Sequence, residues 1–224
     1  MATTVEKTAA EKKNMTMVGL TKARIETLTD SVFAIAMTLM VFNFRVPDVP
    51  AGSASWELSK KLFGMRHVFL IYLTSFVVLG IYWIGHHNHF HWLRKTDRKS
   101  LWINLAFLFT VTLIPFSTIL AGRYPEQRDA VIFYGVNLTL VGLLLYAHIA
   151  YAAGRGNLID PDMRPGLIQL AKRLVLTGPL TCVVAIVVAF FYPRIAGLLY
   201  LLIPIFYVFL PGMDRRLARY VRDD

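Results

Sequence analysis

Long apolar runs alternate along this chain with short polar segments rich in lysine and arginine. A helix needs about 20 apolar residues to cross a hydrocarbon core of roughly 30 Å. On that measure the pattern predicts spans at 24–46, 66–92, 100–121, 129–153, 167–191 and 195–211. The stretch Val131–Ala153 holds one histidine, His148, and no Asp, Glu, Lys or Arg, and Leu174–Pro193 has none of those four either. Val46-Pro47 should end the first span, because proline removes a donor and disfavours helix in the residue before it. Pro115 should kink the third span, and Gly178-Pro179 and Pro204 are tolerable inside the fifth and sixth where neighbouring helices satisfy the freed carbonyls. Residues 55–63 read as a short amphipathic helix on the membrane surface. The predicted fold is therefore all-α: a polytopic membrane protein with six transmembrane helices in 22–212. A polar N-terminal segment (1–21) and a basic tail (213–224) flank it.

Charge sets the orientation. With the N-terminus inside, the segments on the cytoplasmic side carry 17 of the 24 Lys and Arg residues and the opposite side carries 7. The positive-inside rule then places both termini in the cytoplasm of a multi-pass cell-membrane protein. Trp56, Trp92, Trp102 and Tyr124 fall near predicted span ends, where interfacial aromatics belong. The first apolar run begins too far from Met1 for a cleavable signal peptide, so the first helix should act as its own targeting signal. The spans show no internal repeat, so any symmetry must come from oligomerisation.

Composition agrees with this class. Hydrophobic residues make up 56% and charged residues 17%, against about 25% charged in ordinary soluble domains. The net charge of +10 is dispersed in clusters between spans, with no recognition motif or continuous basic patch, which excludes nucleic acid as a partner. Cys182, the single cysteine, cannot form an intramolecular disulfide and reads as an inert buried thiol.

The first helix holds the unusual features. At 100° per residue, Leu28, Ser31, Ile35, Thr38, Leu39 and Phe42 fall within about 100° of arc, one stripe of bulky apolar side chains interleaved with hydroxyls. Packing against lipid or a neighbouring helix, and lining a pore, both suit such a stripe. Asp30 falls on the far side and Arg24 near the stripe, so the two cannot pair within the helix. A carboxylate at this depth requires a partner, and Trp83, His86 and His87 of the second span and Asn104 of the third are the candidates. The spacings 86/89 and 87/91 would suit a metal. The simpler reading makes His86 or His87 a partner of Asp30 and sets His89 and His91 toward the wet end of the helix, with no metal or other cofactor. No nucleophile–base pair, phosphate loop or metalloprotease motif is present, which speaks against an enzyme.

Arg24-x-x-x-Leu28-Thr29-Asp30, followed by Val32-Phe33-Ala34-Ile35-Ala36-x-Thr38-Leu39, resembles the signature of the bacterial homologues of the endolysosomal potassium channel called transmembrane protein 175. That signature is an Arg, three residues, then Phe-Ser-Asp. Tyr82-Trp83-x-x-His86-His87, Asn104-Leu105 and Leu113-x-Pro115-Phe116-x-Thr118 add to the resemblance, which covers roughly residues 22–125. Leu28 stands where the family has Phe, and Thr29 where it has Ser, keeping the hydroxyl. The resemblance implies a homotetramer around a central pore lined by the first helix, with potassium as the permeant ion. It implies Ile35, Leu39 and Phe42 as constricting apolar rings, Thr38 as the polar ring and Ser31 further along the path. Arg24, Thr29, Asp30, Trp83, His86, His87 and Asn104 would form a structural polar network. Like that family, the chain lacks the Thr-Val-Gly-Tyr-Gly filter of ordinary potassium channels. A secondary transporter or proton-leak protein is the alternative, although such transporters show inverted repeats that are not visible here.

Overall fold

The structure is a computed structural model and describes residues 21–50, 52, 54–154 and 158–209. The termini read from sequence as polar tails lie outside the described residues apart from Thr21. The described chain is helical: α1 (Lys22–Leu39), α2 (Ser55–Gly64), α3 (Arg66–His91), α4 (Arg98–Thr112), α5 (Ile114–Arg123), α6 (Arg128–Ala153), α7 (Pro165–Ala189), α8 (Pro193–Leu199) and α9 (Leu202–Phe209). Among the described residues, five helical stretches are long and apolar enough to cross a membrane: Lys22–Phe42, Arg66–His91, Arg98–Arg123, Arg128–Ala153 and Pro165–Ala189. They match the first five predicted spans.

The breaks have local causes. The third span divides at Leu113, whose N–H turns back to the Thr110 carbonyl at 3.2 Å. Pro115 has no N–H for a bond to Val111, and its ring crowds that carbonyl. The sixth predicted span is not one helix; α8 and α9 are two short pieces separated at Tyr200-Leu201. Pro204 acts in the same way on the Tyr200 carbonyl, four residues earlier, and the helix restarts instead of running on. The first span also ends sooner than Val46. It tightens into a 3₁₀ turn at Met40–Asn43 and becomes extended at Phe44, whose ring packs edge-on to Tyr72 at 5.0 Å.

The helices are layered. α1 lies at one edge and packs on α3, α4 and α5, while α6 runs behind these and carries α7 on its other side. Close contact of α6 with α7 depends on Gly142, where an added Cβ would stand 2.4 Å from Pro179 Cγ and 2.9 Å from the Tyr82 hydroxyl. The core joins Phe33 of α1 and Met40 of the 3₁₀ turn after it to Val78 and Leu79 of α3, Phe107 and Val111 of α4, and Leu138, Val141 and Leu145 of α6. Cys182 is fully buried in it. At one end the Lys22 ammonium donates to the Leu93 carbonyl at 3.0 Å, and Leu93 bridges to Ile159, tying the start of α1 to the loops after α3 and α6.

Candidate functional site

α1 and the 3₁₀ turn that continues it have two unlike faces. Ile25, Thr29, Phe33, Ala36 and Met40 recur at helical spacing and are buried against α3, α4 and α5. Leu28, Ser31, Ile35, Thr38, Leu39 and Phe42 are all exposed, with Ile35 at 58% and Phe42 at 76%. The stripe read from sequence is thus a face that the rest of the chain leaves uncovered. Met37 is half-buried and turned toward Gly80.

The hydroxyls on this face direct their hydrogens inward. Thr38 Oγ1 donates to the Ala34 and Ile35 carbonyls at 3.0 and 2.9 Å, and Ser31 Oγ to the Thr27 carbonyl at 2.8 Å. A hydroxyl that donates to its own backbone keeps its oxygen lone pairs for an outside partner. The exposed face therefore alternates bulky apolar groups with outward oxygen acceptors and carries no titratable side chain from Ser31 to Phe42.

Behind α1 lies a polar network. Trp83 Nε1 donates to Asp30 Oδ1 at 2.8 Å. One turn along α3, His86 Nε2 meets Asn104 Oδ1 at 2.8 Å; the amide oxygen can only accept, so the imidazole proton sits on Nε2. Asn104 Nδ2 in turn reaches Thr29 Oγ1 at 3.4 Å. Thr29, His86 and Asn104 are all buried, and the His86 ring is stacked between Phe90 at 4.2 Å and Phe107 at 5.4 Å. Two residues grouped with this network by sequence make no hydrogen bond to it. The His87 ring lies against Trp83 at 5.9 Å, and the Arg24 side chain is exposed, because α1 turns it away from Asp30.

A second polar chain was not foreseen. His89, expected at the wet end, is fully buried: its Nε2 meets His148 Nδ1 at 2.6 Å, and His148 Nε2 meets Ser100 Oγ at 2.8 Å. Asp97 caps α4 by accepting from the Ser100 N–H at 2.7 Å and also accepts from the Tyr151 hydroxyl at 2.6 Å. The one sequence signal for it was His148, isolated in an otherwise apolar span. A third cluster, also unforeseen, links Thr118, Ser75 and Tyr134 by hydroxyl contacts of 2.8 and 2.9 Å, with Asn137 donating to Ser117 at 3.0 Å. His86 and His89 thus each give Nε2 to a protein partner, and His87 and His91 are exposed.

Comparison with known proteins points the same way as the motifs. The family model described as endosomal/lysosomal potassium channel TMEM175 matches residues 24–115. The chain is 28% identical over 205 residues to a potassium channel of a Chryseobacterium species, covering 92% of this chain and 100% of that one. It is 33% identical over 135 residues to a potassium channel of Chamaesiphon minutus, covering 58% of this chain and 66% of that one. The mouse endosomal/lysosomal proton channel TMEM175 is 26% identical over 192 residues, 84% of this chain but 37% of that protein. Among solved structures, the crystal structure of a lysosomal potassium-selective channel TMEM175 homologue from Chamaesiphon minutus superposes with a TM-score of 0.72 at 25% identity, over 84% of this chain and 96% of that one.

Proposed function

The chain is a homologue of the endosomal/lysosomal potassium channel TMEM175, and from that premise we propose that it is a potassium-selective, leak-type cation channel. The observation that carries this reading is the outward face of α1 and the 3₁₀ turn after it, where Ile35 and Phe42 are exposed and the Thr38 oxygen is left open by its own hydrogen bonds. One subunit offers one such face and cannot enclose a path by itself. Closed rotational symmetry brings the copies of α1 together on an axis, and the family resemblance makes four the expected number. Ile35, Leu39 and Phe42 then form successive apolar rings, which narrow the path and resist wetting. Thr38 supplies a ring of oxygens that replaces part of an ion's hydration, and Ser31 a second one nearer the end that carries Asp30. The excess of Lys and Arg on one side supports an orientation with both termini in the cytoplasm, as expected of a multi-pass cell-membrane channel.

The vertebrate relatives are named as proton channels, so proton leak is the second reading. The stripe from Ser31 to Phe42 holds no titratable side chain to relay a proton, which favours the potassium reading. Purified protein in liposomes tests both. The expected result is a symmetric tetramer by mass and a potassium flux whose reversal potential follows the potassium gradient. A monomer, or a flux that follows only the proton gradient, would overturn the proposal.

A further inference from the structure

On the side of the subunit away from α1, α3 and α7 both lean on α6 and leave a cleft of about 280 Å³ between them. Its walls are the α3 residues Ile84 and Gly85 and the α7 residues Ala171 and Leu174, and Leu145 of α6 forms its floor. Tyr207 of α9 closes one end, its hydroxyl donating to the Leu174 carbonyl and accepting from Thr177 Oγ1 at 3.1 Å. The other end is marked by Asn88 and Trp92, where α3 ends. The lining is otherwise almost wholly apolar.

We infer that this cleft is a binding site for one acyl chain of a glycerophospholipid, held in the leaflet at which α3 ends and α7 begins. Depth is the first reason. Every wall belongs to a helix long and apolar enough to span, so the cleft opens sideways into hydrocarbon, where acyl chains are the available filling. An apolar cleft of this size gains nothing from water, and left empty it forfeits the dispersion contacts of its lining. Polarity is the second reason. The cleft is apolar within and amphipathic at the Asn88/Trp92 end, the order in which a lipid tail meets its glycerol and headgroup; Trp at that level is a typical interfacial residue. The third reason is its place in the layers. α1 packs on α3, α4 and α5, whereas α7 packs on α6 at the opposite side. When copies of α1 gather on an axis, the α7 edge faces the bilayer and no neighbouring subunit covers the cleft; this step rests on the assembly proposed above. The site also has a route to the pore helix. The α3 segment that forms its wall carries Trp83 and His86 on other faces, and these join α3 to Asp30 directly and to Thr29 through Asn104.

The test is photolabelling of the full chain in phosphatidylcholine vesicles doped with a phosphatidylcholine that carries a diazirine midway along one acyl chain. Labelled peptides are mapped by mass spectrometry. Adducts should concentrate on the α3 and α7 walls, severalfold above those at Val183 and Val187, which are exposed on α7 outside the cleft. Ala171→Phe should remove most of the cleft labelling by filling it, whereas Val183→Phe should not. Ile84→Phe, at a side chain already 52% exposed, provides a second filling variant should Ala171→Phe fold poorly. Labelling spread evenly over all exposed apolar positions, or cleft labelling unchanged in the filling variants, would overturn the inference. The readout is independent of ion flux: a labelled cleft in a protein without flux sinks the channel reading alone, and a conducting protein with an unlabelled cleft sinks this one alone.

Discussion

The indole N–H of Trp83 donates to the carboxylate of Asp30 at 2.8 Å, so the helix with the exposed stripe is held to α3 by a charge-assisted bond at its surface. Charge-assisted bonds are stronger than neutral ones, but this pair is partly exposed in the subunit, with Trp83 38% accessible, and solvent weakens it. Asp30→Ala should therefore cost about 1 kcal/mol per subunit and act on assembly before selectivity. Thermal unfolding and size-exclusion chromatography should show a less stable, partly dissociated oligomer. A fully assembled variant that lost only its potassium preference would assign Asp30 to the ion path.

Asn104 should matter more, because its partners are buried. Asn104→Leu leaves the His86 Nε2–H and the Thr29 hydroxyl without their side-chain partner, at a cost of about 1–3 kcal/mol per subunit. His86→Phe added to Asn104→Leu should recover part of that loss, since Phe at 86 fits the stack between Phe90 and Phe107 and carries no donor. A double-mutant cycle by denaturant unfolding measures this; strictly additive losses would mean that the two residues act separately.

Thr38→Ala should reduce the potassium-over-sodium preference and leave the oligomer intact, because the hydroxyl bonds only its own helix. Thr38→Ser keeps the oxygen and should keep most of the preference. Reversal potentials under bi-ionic conditions decide this. Equal values for the wild type and the alanine variant would move the filter elsewhere, with Ser31 the next candidate.

Ile35→Asn should wet the apolar constriction and raise the resting leak severalfold, while Met37→Asn, at a half-buried position facing Gly80, should affect stability more than flux. Liposome flux at matched protein content separates the two. The same small change from both would remove α1 from the ion path.

Gly142→Ala should destabilise the bundle by about 1–3 kcal/mol, since its Cβ would overlap the Pro179 ring. Gly197→Ala, where a Cβ meets nothing within 4 Å, should be neutral or slightly stabilising. Thermal unfolding of the two variants side by side checks the contrast.

The sequence by itself determined what depends on one segment at a time. Hydropathy summed over about 20 residues marked five membrane-length helices, Pro115 marked the break at Leu113, and helical periodicity put Ile35, Thr38 and Phe42 on one face of α1. Trp83 and Asn104 could be named as available partners because polar groups in apolar helices are few. Only the tertiary structure decided which of them meet. It gave Asp30 to Trp83 rather than His87, sent His86 to Asn104, and drew His89 inward to His148, 59 residues away. It also divided the last predicted span into α8 and α9, because hydropathy does not register the carbonyl that Pro204 crowds. The physical reason is the same throughout. Burial propensity is written locally along a helix, whereas a hydrogen bond between helices depends on how faces far apart in sequence are turned toward each other.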